Sequence, residues 1–180
     1  MGPAHGCLSP MTLTLILIRH AKSDWDDPGL PDHDRPLNPR GRAAAPRIGA
    51  YLAARGLVPG AVLCSTAHRT QETWEGIASR MPDAPAPVLT RAIYEAMPVD
   101  ILNAIGTAEA SPLAVIGHNP GIGSLAWSLS ATPPGHDKFS LYPTGATTVL
   151  TFDATHWAEI GPGQGRVIAF TTPRDLPDPA

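Results

Sequence analysis

The sequence predicts an α/β fold: one domain, a three-layer sandwich with a mostly parallel central sheet and helices on both faces. Aliphatic runs of strand length alternate along the chain with segments of helical periodicity. The first run, TLTLILI from Thr12 to Ile18, lacks the alternation of a half-solvated strand and reads as a strand buried on both faces. The length, 180 residues, suits one domain with a substantial core, and neither an internal repeat nor a domain linker interrupts it.

The elements follow in order. After the first strand, residues 23–36 form an irregular acidic loop. Asn38 reads as a helix N-cap with Pro39 at the first helical position. Ala44, Ile48, Tyr51 and Leu52 then keep helical spacing to about Arg55, and Gly56 is a natural stop. Pro46 inside this helix predicts a kink. A second strand spans Ala61 to Cys64. Ser65 or Thr66 would cap the next helix, whose apolar stripe is Thr70, Trp74, Ile77, Ala78 and Met81. Val88 and Leu89 suggest a peripheral strand. Val99 to Ala108 is a helix with Val99, Leu102 and Ile105 inward. Leu113 to Gly117 is another buried strand. Asn119 and Pro120 repeat the cap-plus-proline start for a helix to about Leu129. Ala146 to Phe152 and Arg166 to Thr171 are the last strands.

Composition narrows the function classes. The formal net charge is -3, so there is no general electrostatic case for nucleic acid or an anionic membrane as partner. No apolar stretch is long enough for a membrane span. The opening MGPAHGCLSP lacks the basic region of a signal peptide, and residues 1–10 read as a disordered leader before a domain at 11–176 and a flexible tail at 177–180. Cys7 and Cys64 are too few for a disulfide framework or a thiolate metal site. A cytoplasmic location is the default.

The chemistry sits at strand ends. The first strand ends in Arg19 and His20. The second runs into CSTAHRTQET, with Arg69 in the first turn of the following helix. Leu113 to Gly117 runs into His118 within GHNPG. Each alone has an ordinary explanation: a strand reaching the surface, a turn, an Arg69–Glu72 pair on one helix face. A parallel sheet brings the three ends to one edge, where two guanidiniums and two imidazoles could converge on an anion. Arginine's planar fork suits phosphate oxygens, and helix starts add free N–H groups. His5, His33, His136 and His156 read as loop or turn residues, and His68 as helix surface. No phosphate-binding glycine loop, zinc-ligand spacing or serine nucleophile elbow is present.

In this order, IRHAKS, STAHRTQET, IYEA and GHNPG resemble the histidine phosphatase superfamily, also called phosphoglycerate-mutase-like. DRPLNPRG and FTTPRDL make the chain similar to the small SixA-like phosphohistidine phosphatases. The resemblance implies that His20 is the nucleophile that becomes phosphohistidine. It places Arg19, Arg69 and His118 in the phosphate pocket, with His118 also catalytic. Glu95 falls where relatives carry the acid that protonates the leaving group, although an aspartate of the 24–34 loop could serve. Ala21 departs from the glycine usual after the nucleophile, and the Gly-Glu-Ser block of mutases is missing.

The implied enzyme is a phosphatase without metal or cofactor. It would act on phosphohistidine in a protein or, alternatively, on a small phosphorylated metabolite. A non-catalytic phosphate-binding module is the remaining reading. The short segment before Glu95 leaves no room for a large lid. The aspartates Asp24, Asp26, Asp27, Asp32 and Asp34 are expected to give the open pocket an acidic rim.

Overall fold

The structure, a computed structural model, describes residues 11–178, so the expected leader lies outside the described residues. Six strands form one sheet: β1 (Thr12–Arg19), β2 (Ala61–Ser65), β3 (Val88–Thr90), β4 (Leu113–Gly117), β5 (Thr147–Asp153) and β6 (Arg166–Thr171). Their order is β3-β2-β4-β1-β5-β6. The first four run parallel, β5 is antiparallel to β1, and β6 is antiparallel to β5. Only β5 therefore opposes the common direction.

The central strands explain the three layers. Along β1, Leu13, Leu15 and Leu17 face one side and join Ile101, Ile105, Ile122 and Leu125. Ile16 and Ile18 face the other and join Ile48, Leu52, Trp74 and Ile77. So α3 (Pro98–Ile105) and α4 (Gly121–Leu129) cover one face, while α1 (Pro39–Ala54) and α2 (His68–Ala78) cover the other. Each fully buried Leu or Ile contributes roughly 1.5–3 kcal/mol.

The α1 start is as the sequence predicts: the Asn38 side chain accepts from the Gly41 N–H at 2.9 Å. The helix runs without interruption through Pro46. Three helices differ in detail, and α3 ends at Ile105 rather than Ala108. The cap of α2 is Ala67, not Ser65 or Thr66, and the helix stops at Ala78, with Met81 buried beyond it. In α3, Val99 is 60% exposed and Ile101 is buried in its place. The apolar residues 99, 101, 102 and 105 allow two stripes, and packing on α4 selects the one through Ile101 and Ile105. Helix α4 begins at Gly121, after both Asn119 and Pro120.

One close approach fixes the segment after β1. A side chain at Gly41 would overlap the Lys22 carbonyl. That carbonyl accepts from the Asn38 N–H at 2.9 Å. The bare start of α1 thus clamps the backbone directly after His20.

Candidate active site

Strands β2, β4 and β1 are neighbours, so their carboxyl ends lie side by side. Ser65, His118 and the pair Arg19-His20 meet there, as the strand-end reading anticipates. The His20 N–H donates to the Gly117 carbonyl at 3.1 Å, tying the first and third ends together. A cleft of about 200 Å³ opens at this edge, lined among others by Arg19, His20, Asp32, Arg69, Glu95 and His118. All five residues named from sequence line this cleft.

His20 is buried, and its Nδ1 lies 2.7 Å from the Ala21 carbonyl. A carbonyl only accepts, so Nδ1 carries the proton and Nε2 keeps its lone pair. Burial, with help from the Arg69 and Arg19 charges, lowers the imidazole pKa to about 4. The ring is therefore neutral at pH 7. Its backbone is held from the other side by the Ala21 N–H, which donates to Thr73 Oγ1 at 2.9 Å. Thr73 in turn donates to the Arg69 carbonyl at 2.7 Å.

Arg69 is the most heavily committed group. Nη1 donates to the Asp32 carbonyl at 2.7 Å, and Nη2 lies 3.1 Å from Asp32 Oδ2. Nη2 also lies 3.2 Å from His118 Nδ1 and 3.4 Å from Glu95 Oε1. Two hydrogens serve three acceptors, and Glu95 is the longest contact. An arginine cannot accept, so His118 Nδ1 is the acceptor and its Nε2–H donates to Ser65 Oγ at 2.7 Å. Burial first, then Arg69 and His20, lower the His118 pKa to about 3. Ser65 Oγ thus accepts from the imidazole and, at 3.3 Å, from the Ala67 N–H, short of the first turn of α2. No Arg69–Glu72 pair forms: Glu72 binds the Leu37 N–H and Arg42 instead.

Arg19 comes from the other side of the cleft. Its Nη1 donates to the Tyr142 carbonyl at 2.9 Å, while its buried Nε has no partner among the described residues. A second carbonyl contact, from Asn119 Nδ2 at 2.9 Å, converges on the same Tyr142 oxygen. Tyr142 adopts the left-handed region (φ 46°) that aims this carbonyl, and its hydroxyl donates to Leu17 O at 2.9 Å. Glu95 also lies in the left-handed region (φ 47°), with 56% of its side chain exposed at the cleft mouth. Such backbone for a non-glycine residue costs on the order of 1 kcal/mol or more and clusters at functional sites.

Sequence reasoning did not single out Asp32, Tyr94 or Ser65. Asp32 accepts from the Tyr94 hydroxyl at 2.7 Å as well as from Arg69. Burial raises its pKa, but the Tyr94 bond and the Arg69 charge outweigh this and hold the carboxyl below its usual range. Of the five loop aspartates, Asp32 alone lines the cleft; Asp24, Asp26 and Asp27 line a separate depression with Arg35. Asp34 pairs with His33 at 3.5 Å, and Arg35 stacks 4.2 Å over the Trp25 ring. The expected acidic rim is therefore confined to Asp32 and Glu95. His33, read from sequence as a loop residue, lies beside the site: Nε2 is 2.8 Å from Thr66 Oγ1, and the ring meets Tyr94 edge-on at 4.9 Å.

This geometry now meets known proteins. The sequence profile of the histidine phosphatase superfamily (branch 1) matches residues 15–95. An uncharacterized protein of Mycobacterium tuberculosis is 39% identical over 165 residues, covering 87% of this chain and all of that protein. The structure of the putative phosphohistidine phosphatase SixA from Nakamurella multipartitia superposes with a TM-score of 0.77 at 27% identity. That match covers 92% of this chain and 99% of that one. The putative SixA of Agrobacterium tumefaciens gives 0.72 at 27% identity, over 89% and 97%.

The chain belongs to the histidine phosphatase superfamily. It falls in the SixA-like branch of small phosphatases. Members of the superfamily are phosphatases. Among the described residues, no helix of this histidine phosphatase is long and apolar enough to cross a membrane.

Proposed function

We propose that the protein hydrolyses a phosphoryl group carried on a histidine of another protein, through a phosphohistidine formed on its own His20. The observation that carries this reading is the His20 ring: its Nδ1–H is spent on the Ala21 carbonyl, leaving Nε2 as a bare lone pair beside two guanidiniums. The 27% identity to two putative SixA structures supports the choice of substrate.

The steps follow from the groups present. The substrate phosphoryl oxygens enter between Arg19 and Arg69, and Arg19 Nε gains the partner it lacks. The dianion displaces Glu95, whose 3.4 Å contact is the weakest on Arg69 Nη2. His118 Nδ1, by accepting from Nη2, keeps Arg69 aimed at the phosphoryl oxygens. His20 Nε2 then bonds to phosphorus as the bond from phosphorus to the substrate imidazole breaks. Glu95, in its acid form, gives that departing nitrogen its proton. In the second step water attacks the phosphoryl group on His20 and passes a proton to Glu95, while the P–Nε2 bond breaks. Positioning and charge stabilisation supply most of such a reaction.

The test compares kcat/KM on a histidine-phosphorylated protein, 3-phosphoglycerate and a nucleotide at matched ionic strength. The phosphohistidine protein is expected to rank first. A reversed ranking identifies a small-metabolite phosphomonoesterase, and no turnover of any phosphate identifies a binding module.

A further inference from the structure

Beside the reacting cleft lies a larger groove of about 600 Å³, bounded by the outer face of α1, the loop before β5 and the segment after β6. Its charged lining is Lys22, Arg40, Arg47, Lys138 and Arg174, with no carboxylate among the lining residues. In a chain of net charge -3, five of the 13 lysines and arginines face one depression.

These cations are not neutralised nearby. Among the described residues Lys22, Arg40, Lys138 and Arg174 pair with no carboxylate; Arg47 donates to the Leu176 and Pro177 carbonyls and lies 3.8 Å from Asp178, which is 97% exposed. Asp175, adjacent to Arg174, is already held by His136 and the Thr172 N–H. The groove and the reacting cleft share Lys22 and Thr144 on their walls, so the two are continuous. The cleft, at about 200 Å³, is smaller than the 300–1,000 Å³ or so of pockets that enclose whole ligands. A substrate whose phosphoryl group sits at His20 can extend its body past Lys22 into the groove.

We infer that this groove is a docking site for acidic side chains flanking the phosphohistidine of the protein substrate. The inference rests on the proposed function and adds to it a specificity: Arg40, Lys138 and Arg174 select the carrier, not the phosphoryl group. Their charges speed encounter and suppress partners with basic flanks. Neither of the cleft's two carboxylates, Asp32 and Glu95, lines the groove, which leaves the groove as the favourable exit for an anionic chain.

The experiment uses two phosphohistidine peptides of equal length, one with Asp and Glu flanks and one with Ser and Gln flanks. Phenyl phosphate serves as a small substrate without flanks. The wild type is compared with Arg40→Gln/Lys138→Gln/Arg174→Gln, whose three positions lie outside the reacting cleft. The wild type should prefer the acidic peptide by about tenfold at low salt, since several solvent-facing charges act together, and lose that preference as salt screens them. The variant should show near-equal values for both peptides while phenyl phosphate hydrolysis stays within about twofold. A parallel arm measures anisotropy of the labelled, unphosphorylated acidic peptide on both proteins, which reads the groove whether or not phosphohistidine is turned over. Weaker peptide binding by the variant supports the inference even if the proposed substrate fails. Equal binding of acidic and neutral peptides, unchanged binding by the variant, or displacement of the acidic peptide by pyrophosphate at far lower concentrations overturns it.

Discussion

Lowering the pH from 7.5 to 5 should destabilise the protein by an amount the two buried imidazoles set. His20 and His118 titrate at about 4 and about 3 in the folded chain, depressed first by burial and then by neighbouring positive charge. In the unfolded chain both return to about 6.5. Their contribution to stability is present above pH 6.5 and is lost as the pH falls through 6.5 towards the folded values, because only the unfolded state takes up the protons. At pH 5 the unfolded imidazoles are almost fully charged and the folded ones almost fully neutral. The loss then depends mainly on the distance from 6.5 to 5, about 1.5 units at 1.36 kcal/mol each, or about 2 kcal/mol per histidine. Two such groups cost about 4 kcal/mol, a large share of the roughly 5–15 kcal/mol that holds a domain folded. Urea titrations at both pH values measure it, with His20→Gln/His118→Gln as reference. The variant should keep only the slope due to other groups. A wild-type loss below about 1 kcal/mol, or an equal loss in the variant, refutes the neutral-imidazole account of the site.

Three activity predictions accompany it. Arg69→Ala should lower kcat/KM by about 10²-fold or more with the fold intact, and Arg69→Lys should recover little, because a single ammonium cannot hold Asp32 and His118 while meeting a phosphoryl oxygen; an unchanged value in steady-state assays would remove Arg69 from the pocket. Asp32→Ala, which releases both Arg69 and Tyr94, should cost about tenfold and weaken inhibition by phosphate in parallel, whereas Asp32→Asn keeps part of the geometry; loss of kcat with unaltered phosphate inhibition would contradict this positioning role. Glu95→Gln should cost about 10²-fold or more on phenyl phosphate but far less on 2,4-dinitrophenyl phosphate, whose leaving group needs no proton; equal losses on both esters would assign the proton donor elsewhere.

The sheet and the convergence of three strand ends were legible because parallel pairing follows from two-faced hydrophobic runs and fixes where strand ends go. His20, Arg69 and His118 could be placed on that basis. The detail that escaped lies in contacts between distant segments. Ser65 has the composition of a helix cap, but α2 begins only at His68, and the Ser65 hydroxyl serves the distant His118 imidazole as well as the Ala67 N–H. Asp32 was one of five aspartates in an irregular loop, and nothing local distinguishes the one that reaches Arg69. The Tyr142 carbonyl that anchors Arg19 is main chain and leaves no sequence signal. The basic groove draws its charges from four separate segments, so the acidic 24–34 loop dominated the expectation for the rim.

The central claim is that His20 Nε2 carries the phosphoryl group between the two steps. Rapid acid-free quenching after mixing with a ³²P-labelled substrate, followed by peptide mapping, tests it directly. The account predicts label on the His20 peptide, stable in alkali, lost in mild acid and absent from His20→Ala, which should also lack turnover. Label on a serine or aspartate, or substantial turnover by His20→Ala, would contradict it.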